Sequence, residues 1–133
     1  MFVREIMNKN IVAIDSNEPI KNACNIYKEK KIGSLIITDK DDVVGIVTER
    51  DIIERTICLG KDTSTTPIKE IMSKDVKTVD VDDRINYAVE ILKKNHIKRL
   101  PVTEKGDLVG ILTVTDIAYE RPNIRKFIKP GEE

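Results

Sequence analysis

Tryptophan and glutamine are missing from this 133-residue sequence, histidine occurs once, cysteine twice, and aromatics make up only 4%. Each shortage excludes something. Three tyrosines and two phenylalanines offer little stacking surface, so recognition of single-stranded nucleic acid is a poor fit. His96 lies at a helix end with no triad partner or second metal ligand, which suits a surface or capping role. Cys24 and Cys58 lack metal-ligand spacing and stand in apolar-patterned helical stretches, as buried thiols of a cytoplasmic protein would. Net charge is also absent: 23 basic residues balance 23 acidic ones, which argues against a general polyanion binder. No apolar run approaches the roughly 18 residues that would suggest a membrane span. Met1 to Ile6 do not follow the basic, apolar, small order of a signal peptide. No carboxylate pair is marked for acid–base work and no nucleophile stands beside a base, so the sequence points away from an enzyme.

What is present is a duplication. Shifting the sequence by 65 residues aligns it with itself without gaps, with 20 identities in the 48 pairs from position 5 to 52. Glu5-Ile6-Met7 falls on Glu70-Ile71-Met72, Val44-Gly45-Ile46 on Val109-Gly110-Ile111, and Asp51-Ile52 on Asp116-Ile117. Each copy reads as β-α-β-β-α. In the first, a helical turn over 3–8 leads into a strand at Ile11 to Ile14. Pro19 opens a one-sided helix that ends near Lys31. Two strands follow, joined by the polar tetrad Asp39-Lys40-Asp41-Asp42, and then a helix from about Glu49 to Cys58. The second copy repeats this, with Glu104-Lys105-Gly106-Asp107 as the hairpin and the last helix beginning near Val114. The expected organisation is a first repeat at 1–58, a linker at 59–67, a second repeat at 68–120 and a polar tail at 121–133. Gly, Thr, Ser and Pro cluster in the linker and the hydrophobic period stops there.

The segments that could carry chemistry are Gly45-Ile46-Val47-Thr48-Glu49-Arg50-Asp51 and Gly110-Ile111-Leu112-Thr113-Val114-Thr115-Asp116. Each places Gly in a strand, Thr at a strand-to-helix junction and Asp three residues on. One reading is a capping box, with Thr as N-cap and Asp at N3. The other uses the same residues on a ligand: Thr donates to phosphate, Asp accepts from the two hydroxyls of a ribose, and Gly lets a flat base approach the strand.

Two copies of this pattern resemble the tandem cystathionine-β-synthase (CBS) domain pair, the Bateman module, from Val3 to about Tyr119. The resemblance implies an α/β (α+β) fold of two β-α-β-β-α repeats packed sheet to sheet about a pseudo-twofold axis. It implies a non-enzymatic regulatory module that binds an adenosine nucleotide or adenosyl ligand in clefts between the repeats, AMP first, then ADP, ATP or an S-adenosyl compound. By the same resemblance Asp51 and Asp116 take the ribose, Thr48 and Thr113 contact phosphate or ribose, and Ile46 and Ile111 line the base. Lys98 and Arg99 match positions that contact phosphate. Their counterparts Gly33 and Ser34 depart from the basic pattern, so the first cleft is expected to tolerate unphosphorylated adenosine or stay empty. Ser16, aligned with Val81, is a further polar candidate. No resident cofactor or metal is expected, only the nucleotide as regulatory ligand. Expected partners are a second copy of the chain, through apolar helix faces at Ile52, Ile53 and Ile57, and an unidentified effector protein. The alternative is a structural dimerisation protein that binds a protein or nucleic-acid partner without nucleotide, its Thr-x-x-Asp motifs serving only as helix caps.

Overall fold

The two polar tetrads make the hairpin turns. In the computed structural model, which describes residues 1–120, Lys40-Asp41 and Lys105-Gly106 are two-residue loops between paired strands. All four residues have positive φ, at 49° and 69° in the first loop and 51° and 84° in the second, the signature of a type I′ turn. The first hairpin joins β2 (Ser34–Asp39) to β3 (Asp42–Thr48), and the second joins β5 (Arg99–Glu104) to β6 (Asp107–Thr113). A short parallel strand completes each sheet: β1 (Ala13–Asp15) beside β2, and β4 (Val79–Asp80) beside β5. Helices α1 (Ile20–Glu29) and α3 (Ile85–Asn95) connect the parallel strands, and α2 (Glu49–Ile52) and α4 (Val114–Glu120) follow the hairpins. Among the described residues this is a mixed α+β fold of two three-stranded sheets and four helices, as the duplicated pattern implies. The polar tail expected at 121–133 lies outside the described residues.

Three local expectations shift. Pro19 is not the first helical residue but the extended N-cap before it, with ψ of 150°, and Arg84 does the same before α3. The helix expected to run to Cys58 keeps α geometry only to Ile52 and continues as a wider π turn over Ile53–Ile57, closed by Cys58 N–H donating to the Ile53 carbonyl at 3.0 Å. Cys58 is therefore exposed rather than buried, whereas Cys24 is partly buried and its thiol pKa is pushed up by desolvation. His96 does close a helix, as the left-handed C-cap of α3.

The chain divides into two compact units that are not its two covalent repeats. One is Val12–Val76; the other joins Met1–Ile11 to the described chain from Lys77 to Glu120. The segment leading into each repeat is thus built into the other repeat's unit, and it is held the same way in both. In the first unit Ile68 N–H donates to the Glu18 carbonyl (2.8 Å), Lys69 N–H to Ser16 (3.1 Å), and Ser73 and Ile46 exchange both backbone bonds (2.9 and 3.1 Å). In the second, shifted by 65 residues, Val3 donates to Asp83 (2.9 Å), Arg4 to Val81 (3.0 Å), and Asn8 and Ile111 exchange theirs (2.8 and 2.9 Å). Part of the expected linker belongs to this scheme. Thr66 and Thr63 carbonyls accept from Ile20 and Lys21, satisfying two N–H groups at the start of α1. Each unit has its own core. Ile14, Ile20, Leu35, Ile37, Val47 and the borrowed Ile68 and Ile71 form one. Val79, Ile85, Leu92, Leu100, Leu112, Ile117 and the borrowed Val3 form the other.

Candidate functional site

Both Thr-x-x-Asp motifs are built as reciprocal caps. Thr48 is extended, ends β3 and opens α2. Asp51 N–H donates to Thr48 Oγ1 at 3.3 Å, and Thr48 N–H donates to Asp51 Oδ2 at 2.9 Å. In the second unit Asp116 N–H donates to Thr113 Oγ1 and Thr113 N–H to Asp116 Oδ2, both at 3.1 Å. The pairs orient each carboxylate through Oδ2. In the first unit Oδ1 lies 3.8 Å from Arg55 Nη2, with the aspartate side chain only 15% exposed. The capping reading of these residues is thus realised in the fold, and it leaves an oriented carboxylate at each junction.

Strand register brings the other candidates to the same corner. Ser34 is directly opposite Thr48, and Arg99 directly opposite Thr113. Gly33 and Lys98 immediately precede them, and the Lys98 carbonyl accepts from Val114 N–H at 3.0 Å, where α4 begins. Lys98 and Arg99 therefore stand beside Thr113 and Asp116 of their own unit. Ile46 and Ile111 lie two residues before the threonines, half-buried, their backbones paired to Ser73 and Asn8. Ser16 is not part of the corner. It is buried, and its N–H donates to the Thr38 carbonyl at 2.8 Å, four residues along β2 from Ser34 or about 13 Å at the usual strand rise.

The glycines have a different task from the one the motif suggests. A Cβ on Gly45 would lie 2.7 Å from Cγ and 3.0 Å from Cβ of Met72, and nearer still to its Sδ. On Gly110 it would lie 2.9 Å from both the Asn8 carbonyl and Met7 Sδ. The space above each glycine is filled by the borrowed segment, so a flat base does not approach the strand there. Met7 and Met72 occupy equivalent places in the repeat, and each packs over the glycine of the unit that borrows it.

Sequence reasoning missed two residues at the first corner. Arg55 donates from Nη1 to the Ile71 carbonyl at 3.0 Å and lies 3.4 Å from Ser73 Oγ. Arg55 is four residues after Asp51, a spacing that puts both on one helical face and was readable. Ser73 arrives through the exchanged segment, and no local pattern announces that. Among the described residues no group of three His, Cys, Asp or Glu could hold a metal ion, and no helix is long and apolar enough to cross a membrane.

Fold and corners together define a duplicated α+β module with a Thr-x-x-Asp junction in each unit. The family model of the CBS domain matches residues 3–57 and 68–123, and the chain belongs to that family as a tandem pair. It is 31% identical over 129 residues to hypoxic response protein 1 of Mycobacterium tuberculosis, covering 95% of this chain and 90% of that one. A crystal structure of hypoxic response protein I, which holds two coordinated zinc ions, superposes with a TM-score of 0.80 at 30% identity, over 92% of this chain and all of that one. The hexameric CBS-CP12 protein of bloom-forming cyanobacteria superposes with a TM-score of 0.82 at 31% identity, over 98% of this chain and 73% of that one. An uncharacterized protein of Methanopyrus kandleri is 33% identical over 122 residues; these span 90% of this chain but only 62% of that protein.

Proposed function

We propose that the chain is a non-enzymatic regulatory module of the cytosol that binds an adenine nucleotide at the Thr48–Asp51 and Thr113–Asp116 corners. AMP is the first candidate, then ADP, ATP or an S-adenosyl compound. The observation that carries the reading is the oriented carboxylate at each corner, held through Oδ2 by its own cap. Sugar hydroxyls would donate to it, Thr48 or Thr113 would add a polar contact, Ile46 or Ile111 would offer apolar surface to the base, and Arg99 would face the phosphate. Ligand acts by binding one arrangement of the chain better than another, and only that difference in affinity can carry a signal to an effector. The test is thermal melting with and without AMP, beside mass spectrometry of small molecules released from the denatured protein. Ligand at a hundred times its dissociation constant adds about 2.7 kcal/mol of stability.

Self-association is part of the proposal. Ile52 is buried, contrary to its expected place on an open apolar face, but Ile53, Ile57 and the neighbouring Leu59 are 52%, 68% and 65% exposed. Ile53 and Ile57 are four residues apart, a spacing that puts them on one helical face, and a cluster of exposed apolar side chains suits an interface. Light scattering is expected to give twice the 15.1 kDa chain mass, and a monomer at micromolar concentration would count against it.

One observation favours the second reading. Both threonine–aspartate pairs are fully explained as caps, as a purely structural dimerisation protein would need. That reading stands if no adenosyl compound moves the melting temperature.

A further inference from the structure

The two corners carry their positive charge on different elements. In the second unit Lys98 and Arg99 bring it at the start of β5, and in the first the aligned Gly33 and Ser34 bring none. There a cation comes instead from the helical segment, as Arg55, and the residue aligned with Arg55 in the second repeat is Glu120. Where the strand lacks cations the helical segment supplies Arg55, besides an Arg50 that is paired with Glu54, and where the strand supplies two the aligned helical positions are Glu120 and Thr115.

Arg55 is also held in a particular way. Nη1 is anchored on the Ile71 carbonyl and Ser73 Oγ, both brought by the borrowed segment. Nη2 lies 3.8 Å from Asp51 Oδ1, beyond hydrogen-bond distance, and the side chain is 45% exposed. Glu54, the nearer acidic neighbour in sequence, is taken by Arg50 at 2.7 Å. The guanidinium is thus fixed on one nitrogen and loosely paired on the other, beside the carboxylate that is proposed to take the sugar.

We infer that Arg55 is an anion-contacting residue of the Thr48–Asp51 corner and makes that corner prefer a phosphorylated nucleoside to an unphosphorylated one. The inference rests on the nucleotide reading above and reverses what Gly33 and Ser34 alone imply for this corner. A ligand whose hydroxyls engage Asp51 relieves the loose ion pair and brings its phosphate within one sugar of a planar donor that can fork two oxygens. Glu120, four residues after Asp116 on α4, puts a negative charge on the helix of the other corner, and Lys98 and Arg99 offset it there.

Titration calorimetry of AMP and of adenosine tests this on Asp116→Ala, which leaves the first corner to be read alone, with and without Arg55→Gln or Arg55→Lys. Arg55→Gln is expected to lower the preference for AMP over adenosine about tenfold, with the adenosine affinity within about twofold of its starting value. Arg55→Lys keeps part of the preference, and the effect shrinks at high salt. If Asp116→Ala lowers the melting temperature, the same ratio is read on the Arg55 variants with Asp116 intact. A ratio untouched by Arg55→Gln overturns the inference. An equal loss for AMP and adenosine also overturns it, since Arg55 would then merely hold Asp51 and Ser73 in place. Failure of both compounds to bind the unmodified chain overturns the nucleotide reading and this inference with it.

Discussion

Alanine at Gly45 and alanine at Gly110 add the same methyl group at equivalent places in the repeat, yet they strike different neighbours. At Gly45 the nearest atoms to the new Cβ all belong to the Met72 side chain, at 2.7 Å from Cγ and 3.0 Å from Cβ. At Gly110 it meets the Asn8 carbonyl at 2.9 Å, and that residue is held to Ile111 by two backbone hydrogen bonds of 2.8 and 2.9 Å. Forcing an extra carbon into packed surroundings costs about 1–3 kcal/mol. Replacing glycine inside a strand returns roughly 0.5–1 kcal/mol. Gly45→Ala should therefore lose about 1 kcal/mol, because Sδ and Cγ of Met72 can rotate away and only its Cβ, at 3.0 Å, must give by a small shift. Gly110→Ala should lose about 2 kcal/mol, because backbone must move and each weakened bond costs roughly 1 kcal/mol. The sharper expectation is in the rescue. Met72→Ala should recover most of the loss in Gly45→Ala, seen as a favourable coupling of about 1 kcal/mol in a double-mutant cycle. Met7→Ala should recover little in Gly110→Ala, since the Asn8 carbonyl stays where it is. Urea unfolding followed by circular dichroism measures all six variants. Equal rescue in both repeats, or a Gly45→Ala chain as stable as the parent, would refute the packing account of these glycines.

Three further substitutions test local features. Thr56 is fully buried in the π turn and its Oγ1 has no hydrogen-bond partner among the described residues, so Thr56→Val should be neutral to stabilising by about 1 kcal/mol in chemical denaturation, and a clear loss of stability would show that the hydroxyl is satisfied in solution. Asp41 sits at φ 69° where the second hairpin has Gly106, so Asp41→Gly should stabilise the first unit by roughly 1 kcal/mol while Gly106→Asp destabilises the second, and melting temperatures moving the other way would sink the turn assignment.

Sequence reasoning succeeded where a feature is local or is repeated. The tetrads at 39–42 and 104–107 are turn chemistry between apolar runs, and the hairpins formed there. The shift of 65 residues made every element visible twice, so the β-α-β-β-α order rested on two observations rather than one. The corner was legible in part for the same reason: Thr48, Asp51, Ser34 and their counterparts are neighbours through one hairpin and one helix start. What stayed hidden is long-range. Nothing near Pro19 shows that the start of α1 is satisfied by the Thr66 and Thr63 carbonyls, so proline was read as a helical residue rather than an extended cap. Nothing near Gly45 shows that Met72 fills the space above it. The repeated Glu-Ile-Met was plain as an identity, but its reason, a methionine seated over a glycine of the opposite repeat, depends on the exchange of leading segments. Ser73 and the anchoring of Arg55 were missed on the same account.

The comparison of the two halves also separates what each residue is for. Positions that agree between the repeats include those that fix the backbone: Met7 and Met72 over Gly110 and Gly45, and the threonine–aspartate caps. Around those caps the charged positions are among those that differ. Gly33 and Ser34 face Lys98 and Arg99 across the alignment, and Arg55 faces Glu120. Caps and close contacts need one geometry and tolerate no alternative residue cheaply, so a duplicated scaffold keeps them for stability whether or not a ligand binds. Their agreement is therefore weak support for a nucleotide. The charges make no comparable demand on the fold, because exposed ion pairs contribute between 0 and about 1 kcal/mol. An arrangement that changes both the element and the sign of the charge around one retained carboxylate bears on what each corner receives. The Arg55 titrations therefore discriminate better between a nucleotide-binding module and a purely structural one than loss of either aspartate. Asp51→Ala and Asp116→Ala would weaken the cap under both readings, whereas loss of the Arg55 contacts to Ile71, Ser73 and Asp51 would affect AMP and adenosine alike, and only a bound phosphate makes the charge at position 55 separate the two.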